Sequence, residues 1–392
     1  MPWQEQSIVS LKLEFVTLAT QEGANVRELC RRYGISPPTG YKWRRRYAAA
    51  GVAGLAERSR RPAASPARTP PAVEGEVLAL RDAHPAWGGR KLRRRLQDLG
   101  VEAPSASTVT AILRRHGRLD PAEVAKHVAF RRFEHPAPND LWQLDFKGHV
   151  ALAAGGGRCH PFTVLDDHSR FLLGLAACGD ERGETVRAAL TGLFRRYGLP
   201  WRVLADNGPP WGTPHPGQDL TALCVWLIRL GVAVSHGRPF HPQTQGKAER
   251  FHRTLKAELL RAHAYRDLAD SQAAFDAWRG VYNLERPHAA LGLATPASRY
   301  RPSPRPFPEA LPPPEYGPDD EVRAVHGGGQ LSYRGRLYFV GQALRGQPVA
   351  LRPTSTDGVL AVHFCHHRMG QIDLRAAAPA LTPPGEADDP EV

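Results

Sequence analysis

Between residues 140 and 300 the sequence repeatedly changes its hydrophobic period, and this limits the possible folds more than anything else in the chain. "LWQLDFKG", "CHPFTVLDDHSRFLLGLAAC", "WRVLADNG" and "GVAVSHG" are strand-sized apolar runs. Between and after them lie stretches of helical period: "GETVRAALTGLFRRYG", "QDLTALCVWLIRLG", "HPQTQGKAERFHRTLKAELL" and "DLADSQAAFDAWRGVYNLE". Three strands in succession, followed by alternating helix and strand, predict a mixed sheet with helices on its faces.

On either side of this region, two Pro-rich stretches without hydrophobic period, 57–72 and 301–320, divide the chain, and a shorter junction lies at 131–140. Before the first, "ANVRELCRRYGISPPTGYKWRRRY" (24–47) places a short amphipathic helix, Gly34 at its close, Ser36 as N-cap and Pro37 in the first turn of the next helix. That second helix carries Lys42, Arg44, Arg45 and Arg46 among Tyr41, Trp43 and Tyr47. This is the helix-turn-helix pattern, with the basic helix set for the major groove; the alternative is a helical hairpin with a solvated basic face. A second trihelical unit is expected at 72–118. In the tail, strand-sized, turn-bounded runs from 321 to 376 suggest a small closed barrel, with "RGR" at its first turn. "HFCHH" (363–367) fits a strand end better than a metal site.

The expected organisation is therefore multidomain, α and α/β. Its parts are a helix-turn-helix domain (1–56), a linker (57–71), a second helix-turn-helix domain (72–118) and a mixed-sheet domain (136–300). A Pro-rich linker (301–320), a barrel (321–376) and a disordered tail (377–392) follow. With 392 residues and 42% hydrophobic content, the chain can pack several such cores. Its 52 Lys and Arg against 39 Asp and Glu leave +13, which favours nucleic acid as partner. Membrane is the weaker choice: the apolar run Leu220–Val234 is short and broken by Arg229. "MPWQEQSIVS" shows no signal-peptide pattern. Five scattered cysteines, without a C-x-x-C pair, argue against a disulfide framework or structural zinc. A reducing cytoplasm is the expected setting.

Three acids resist a surface explanation. Asp145 interrupts the first strand between Leu144 and Phe146, and Asp206 ends the fourth after an apolar run. Such positions converge at one edge of a sheet, where ligand sites of open α/β sheets form. Glu249 stands on a strongly basic helix with Lys247, His252, Arg253 and Lys256, just after Gln245. In isolation an i,i+4 ion pair with Arg253 explains it. Three converging carboxylates would instead repel one another and raise their pKa values, which hard divalent cations relieve. Asp166 and Asp167 in "LDDHSR" are expected to shape a hairpin turn. Asp219 belongs to the loop before the next helix or caps it, and Asp140 to a linker-like stretch. Tyr282, Asn283, Arg286 and His288 either touch DNA or pack.

In this order and context the motifs resemble a bacterial insertion-sequence transposase with a retroviral-integrase-type core. Asp145 in "WQLDFKG", Asp206 in "LADNG" and Glu249 in "HPQTQGKAERFHRTLK" match its Asp-Asp-Glu triad, supported by "DDHSR", Asn207, Gly208 and "YNLERPHAALGLATPASRY". The resemblance implies a ribonuclease-H-like core and an SH3-like tail barrel. It implies cleavage and 3′-OH strand transfer of DNA at a site holding two Mg²⁺, with Mn²⁺ as substitute. Lys256 matches the family's basic residue beyond the glutamate. Lys247, Arg253, His252 and Gln245, with Lys42, Arg44, Arg45 and Arg46, are the expected DNA contacts. The implied partners are the element's terminal repeats, target DNA and at least a second copy of the chain. The implied location is the cytoplasm, on the nucleoid. Two departures stand out. Asp206 and Glu249 are 43 positions apart, longer than usual, with "PPWGTPHPGQ" (209–218) as the apparent insertion. The zinc module of retroviral integrases has no counterpart. A DNA-binding regulator with an inactive core, or a nuclease that does not join strands, is the alternative.

Overall fold

The structure, a computed structural model, describes residues 8–57, 69–119, 134–212, 220–236 and 246–383. Two compact units divide the chain, Met1–Arg68 and Thr69–Val392.

In the first unit, α1 (Ile8–Ala19), α2 (Val26–Arg32) and α3 (Pro37–Ala50) enclose Phe15, Val16, Cys30, Trp43 and Leu55. The Asn25 side chain caps α2 by accepting from Glu28 N, and Gly34, at φ +63°, makes the turn toward α3. Ser36 occupies the N-cap position of α3, but its hydroxyl pairs with Thr39 Oγ1 at 2.9 Å. Space rather than φ explains Gly40: a Cβ there would come within 2.4 Å of Cys30 Sγ and 2.9 Å of Phe15 Cζ. The basic helix can therefore lie directly against both of its partners.

The second unit begins with α4 (Pro71–Ala83), α5 (Gly89–Asp98) and α6 (Ala106–Arg115), packed around Val77, Trp87, Leu92, Leu96, Val109 and Ile112. Ser105 caps α6 by accepting from Thr108 N. Buried Glu74 on α4 pairs with Arg115 at 2.6 Å, tying α4 to the end of α6. This bundle is joined to the mixed-sheet domain: Arg95 of α5 pairs with Glu285 at 2.5 Å, and Val281 packs against the bundle core.

The sheet follows the expected pattern. Strands β1 (Leu141–Phe146), β3 (Arg158–Asp166) and β4 (Leu172–Cys178) are antiparallel, whereas β5 (Arg202–Ala205) runs parallel to β1 and β6 (Ala233–His236) parallel to β5. The two-residue β2 (Val150–Ala151) pairs with the start of β3. The Lys147 N–H still bonds Pro161 O, so β2 continues the edge begun by β1. Across the sheet the order is β4–β3–β1–β5–β6. Alternation sends Trp142, Leu144, Phe162, Val164 and Val203 to one face, under α7 (Gly183–Tyr197) and α8 (Ala222–Arg229). Cys159, Leu165, Leu172 and Leu175 face the other way, against α9 (Gly246–Leu255) and α10 (Leu268–Gly280).

The tail has β7 (Glu321–Ala324), β8 (Gln330–Tyr333), β9 (Arg336–Phe339), β10 (Pro348–Pro353), β11 (Val359–Phe364), β12 (His367–Asp373) and β13 (Leu381–Thr382). They form a five-stranded antiparallel sheet, β13–β12–β11–β10–β7, and the β8–β9 hairpin. One core joins both to Val225 and Ile228 of α8. Arg334 and Gly335 have φ +47° and +74°, the backbone of a two-residue hairpin turn. Cys365 and His366 form the turn between β11 and β12, so "HFCHH" is a hairpin end.

Two stretches differ from expectation. The Pro-rich stretch 301–320 has no helix or strand, yet it is strapped along the core. Arg305 donates to Pro200 O at 2.5 Å and Gly231 O at 2.8 Å, Arg195 pairs with Glu309 at 2.7 Å, and Phe307 and Leu311 pack on the core. Its prolines remove amide donors, but its carbonyls, apolar rings and arginine still find partners. Within the expected disordered tail, residues 381–382 pair with β12, and those beyond 383 lie outside the described residues.

Candidate active site

Asp145 and Asp206 come together through strand register. Gln143 of β1 is paired with Leu204 of β5, so two residues on, at the carboxyl ends of adjacent parallel strands, Asp145 and Asp206 stand side by side. Alternation turns both toward the face covered by α9. Burial, followed by the negative charge of Asp206, pushes the Asp145 carboxyl up to about 6; the Phe146 N–H and Lys147 oppose the rise. Asp206 is exposed but backs onto protein, which raises its pKa as well, while the Gly208 N–H (3.2 Å to Oδ1) and the charge of His236 lower it.

On α9, Phe251 and Leu255 are buried with Cys159, Leu165, Leu172 and Leu175 and hold the helix against β3 and β4. One turn after Glu249, the ring of His252 is buried, with Nδ1 3.5 Å from Asp145 Oδ2 and Nε2 3.1 Å from Thr163 Oγ1. Burial, then Lys147, pushes His252 down to about 4. Glu249 itself is exposed. Among the described residues no three His, Cys, Asp or Glu side chains are gathered closely enough to hold a metal together, so Glu249 does not complete a cage with the aspartates. The two aspartates nevertheless fit a hard cation. Both are oxygen donors, and both have carboxyls whose ionised form their surroundings disfavour.

The expected DNA contacts fall into distinct groups. Arg253 and Lys256 are exposed, and Lys256 opens a π-helical turn, Lys256–Leu260. Lys247 is drawn inward, with Nζ 2.5 Å from both carboxylate oxygens of Asp167, whose side chain is 2% exposed. Gln245 and Asp219 lie outside the described residues, as do 213–218 of the proline- and glycine-rich loop. On α3, Arg44 and Arg45 are exposed, while Lys42 and Arg46 lie over the Trp43 ring at 4.4 and 5.1 Å.

Asp166 closes the β3–β4 turn, accepting from Ser169 N at 2.7 Å and Asn139 N at 2.7 Å. Asp167 reaches elsewhere, to Gln143, His135 N and Lys247. Tyr282, Asn283, Arg286 and His288 are all buried. Asn283 brackets Leu172 with two 2.9 Å bonds, and Arg286 pairs with Glu258 at 3.0 Å. Two residues near the aspartates had no sequence signal. Glu181, after β4, adds its negative charge at both Asp145 and Asp206 and bonds His160 at 2.8 Å. Thr163 belongs to β3 and meets His252 across 89 positions of chain.

Residues 135–242 and 230–296 each match a family described as an integrase core domain. Residues 320–380 match the IS481 family transposase C-terminal domain, 11–63 a helix-turn-helix domain and 39–113 a homeodomain-like domain. The uncharacterized 31.7 kDa protein of insertion element IS407 from Burkholderia multivorans is 30% identical over 161 residues; the match covers 41% of this chain and 55%, about half, of that relative. The uncharacterized 39.2 kDa protein of insertion element IS476 from Xanthomonas euvesicatoria is 26% identical over 257 residues, 63% of this chain and 69% of the relative. Among solved structures, the HTLV-2 integrase catalytic core domain in complex with magnesium aligns with a TM-score of 0.32 and 16% identity, covering 42% of this chain and 99% of that one.

Proposed function

We propose that this chain, a bacterial insertion-sequence transposase with an integrase-type core, binds the ends of its element and catalyses strand cleavage and 3′-OH strand transfer. The observation that carries the proposal is the register that sets Asp145 beside Asp206 at the ends of neighbouring parallel strands. Asp145, Asp206 and Glu249 would hold divalent cations, Mg²⁺ or in its place Mn²⁺, two per site. When bound, such ions supply Lewis acidity at the scissile phosphodiester and lower the pKa of the attacking water or hydroxyl.

The chain's own residues do the rest. Asp145 lies within β1, and Asp206 directly follows β5, with its Oδ1 accepting from the Gly208 N–H. Glu249 joins from α9, the helix that His252 already seats against Asp145. Arg253 and Lys256, exposed on the same helix and its extension, grip the phosphate backbone. Arg44 and Arg45 on α3, with the bundle of α4–α6, bind the terminal repeats, and the tail module acts as a small SH3-like barrel. Two DNA ends must be held at once, so the working form is at least a homodimer. In the described residues no helix is long and apolar enough to cross a membrane.

The test is incubation with Mg²⁺ and DNA carrying the terminal repeats, comparing wild type with Asp145→Asn and Glu249→Gln. Cleavage and joining by wild type, absent in both variants, is expected. Binding without cleavage would favour a regulator, and cleavage without joining a nuclease. Cleavage surviving both substitutions would sink the site assignment.

A further inference from the structure

His252 is 7% exposed, and its two ring nitrogens face different groups. Thr163 has one hydroxyl hydrogen, which it donates to the backbone oxygen of Asp145 at 2.9 Å. With that hydrogen used on the Asp145 carbonyl, the 3.1 Å contact between the same hydroxyl oxygen and His252 Nε2 is the one made by the Nε2–H tautomer of the ring. A neutral imidazole protonated at Nε2 has its lone pair at Nδ1. Opposite that lone pair, at 3.5 Å, is Asp145 Oδ2, another acceptor. A buried ring nitrogen and a part-exposed carboxylate oxygen, both acceptors and facing each other, leave a place for a cation between them.

We propose that His252 Nδ1 is a nitrogen donor to the divalent cation held by Asp145, so that the site is a mixed carboxylate–imidazole one. The inference rests on the reading of Asp145 as an ion-holding carboxylate. Donors at roughly 2.0–2.2 Å from a common ion stand about 3–3.5 Å apart when they are neighbours in its coordination sphere. The observed separation is of that size. Metal-bound histidines almost always give their other ring N–H to an orienting acceptor, and Thr163 is that acceptor here. Phe251 and Leu255, buried on either side of His252 in sequence, fix the helix that carries it. An imidazole donor shifts preference from Mg²⁺ toward transition metals, Mn²⁺ included.

The probe is Mn²⁺ alone, added to the full chain and read by electron spin echo envelope modulation. Wild type is expected to bind Mn²⁺ with the ¹⁴N modulation of a directly bound imidazole, and labelling its histidines with ¹⁵N should change that modulation. His252→Gln is expected to bind Mn²⁺ about tenfold more weakly, without the modulation, and Asp145→Asn to lose the ion. Bound Mn²⁺ without nitrogen modulation in wild type overturns the histidine ligand and leaves the acid site standing. Modulation that survives in a folded His252→Gln comes from another histidine, such as His236 or His160, and overturns it equally. No Mn²⁺ bound by wild type overturns both this inference and the acid site beneath it. Because two of these readouts need only the wild-type chain, a variant that fails to fold does not shield the proposal.

Discussion

Asp145 combines a poor environment for a carboxylate with a position where a cation is wanted. Folding raises its pKa from 3.8 to about 6, so the folded chain holds that proton more tightly than the unfolded one. The contribution favours folding below pH 4 and is lost as pH rises through about 6. Two pKa units correspond to roughly 3 kcal/mol, and partial exposure of the side chain reduces this to about 2 kcal/mol. Asp145→Asn should therefore be more stable than wild type at pH 7 without metal, by about 2 kcal/mol in urea unfolding, while strand transfer is lost. Adding Mn²⁺ should raise the melting temperature of wild type and leave the variant unchanged. Lys247 belongs to a different class of residue. Removing it leaves the Asp167 carboxylate, 2% exposed, without its closest cation, so Lys247→Ala should destabilise the core by about 3 kcal/mol. Lys247→Arg should recover part of that. A loss of DNA affinity with unchanged stability would return Lys247 to the DNA face.

At the scale of the element, charge on a helix separates into what packs and what remains outward. Lys42 and Arg46 lie over Trp43, whereas Arg44 and Arg45 are exposed. Arg44→Gln and Arg45→Gln should each weaken DNA binding and reduce the salt slope by about 1; Lys42→Gln and Arg46→Gln should change the slope less and melting more. Fluorescence anisotropy across a salt series separates the two groups. Gly40 allows that same helix its close approach to Cys30 and Phe15. Gly40→Ala should cost the first unit about 1–3 kcal/mol by overpacking, as read by thermal unfolding, even though alanine is the better helix former. At this scale, period and caps place most elements well. Asn25 and Ser105 cap as their type predicts, and the strands at 141–146 and 202–205 fall where the apolar runs are. The hydroxyl of Ser36 does not, because Thr39 is a competing partner.

For the whole molecule, the Pro-rich stretch 301–320 shows that absence of period is not absence of contact. Arg305 satisfies carbonyls at Pro200, Leu230 and Gly231 and lies over Trp201. Arg305→Ala should therefore destabilise the core by about 2 kcal/mol, with protease sensitivity rising first around 301–320. Composition, period and motif order were sufficient for the tandem helical modules, the mixed sheet and the strand-rich tail. These depend on local spacing, and a strand's period of two fixes which face a residue takes. Tertiary structure alone decided which charges are used inward and which outward. It turned Lys247 onto Asp167, buried Arg286 against Glu258, and set His252 between Asp145 and Thr163. It also left Glu249 exposed and uncaged. Each of these is a meeting of side chains far apart in the chain, and their partners are set by how the helices lie on the sheet, which local sequence does not encode.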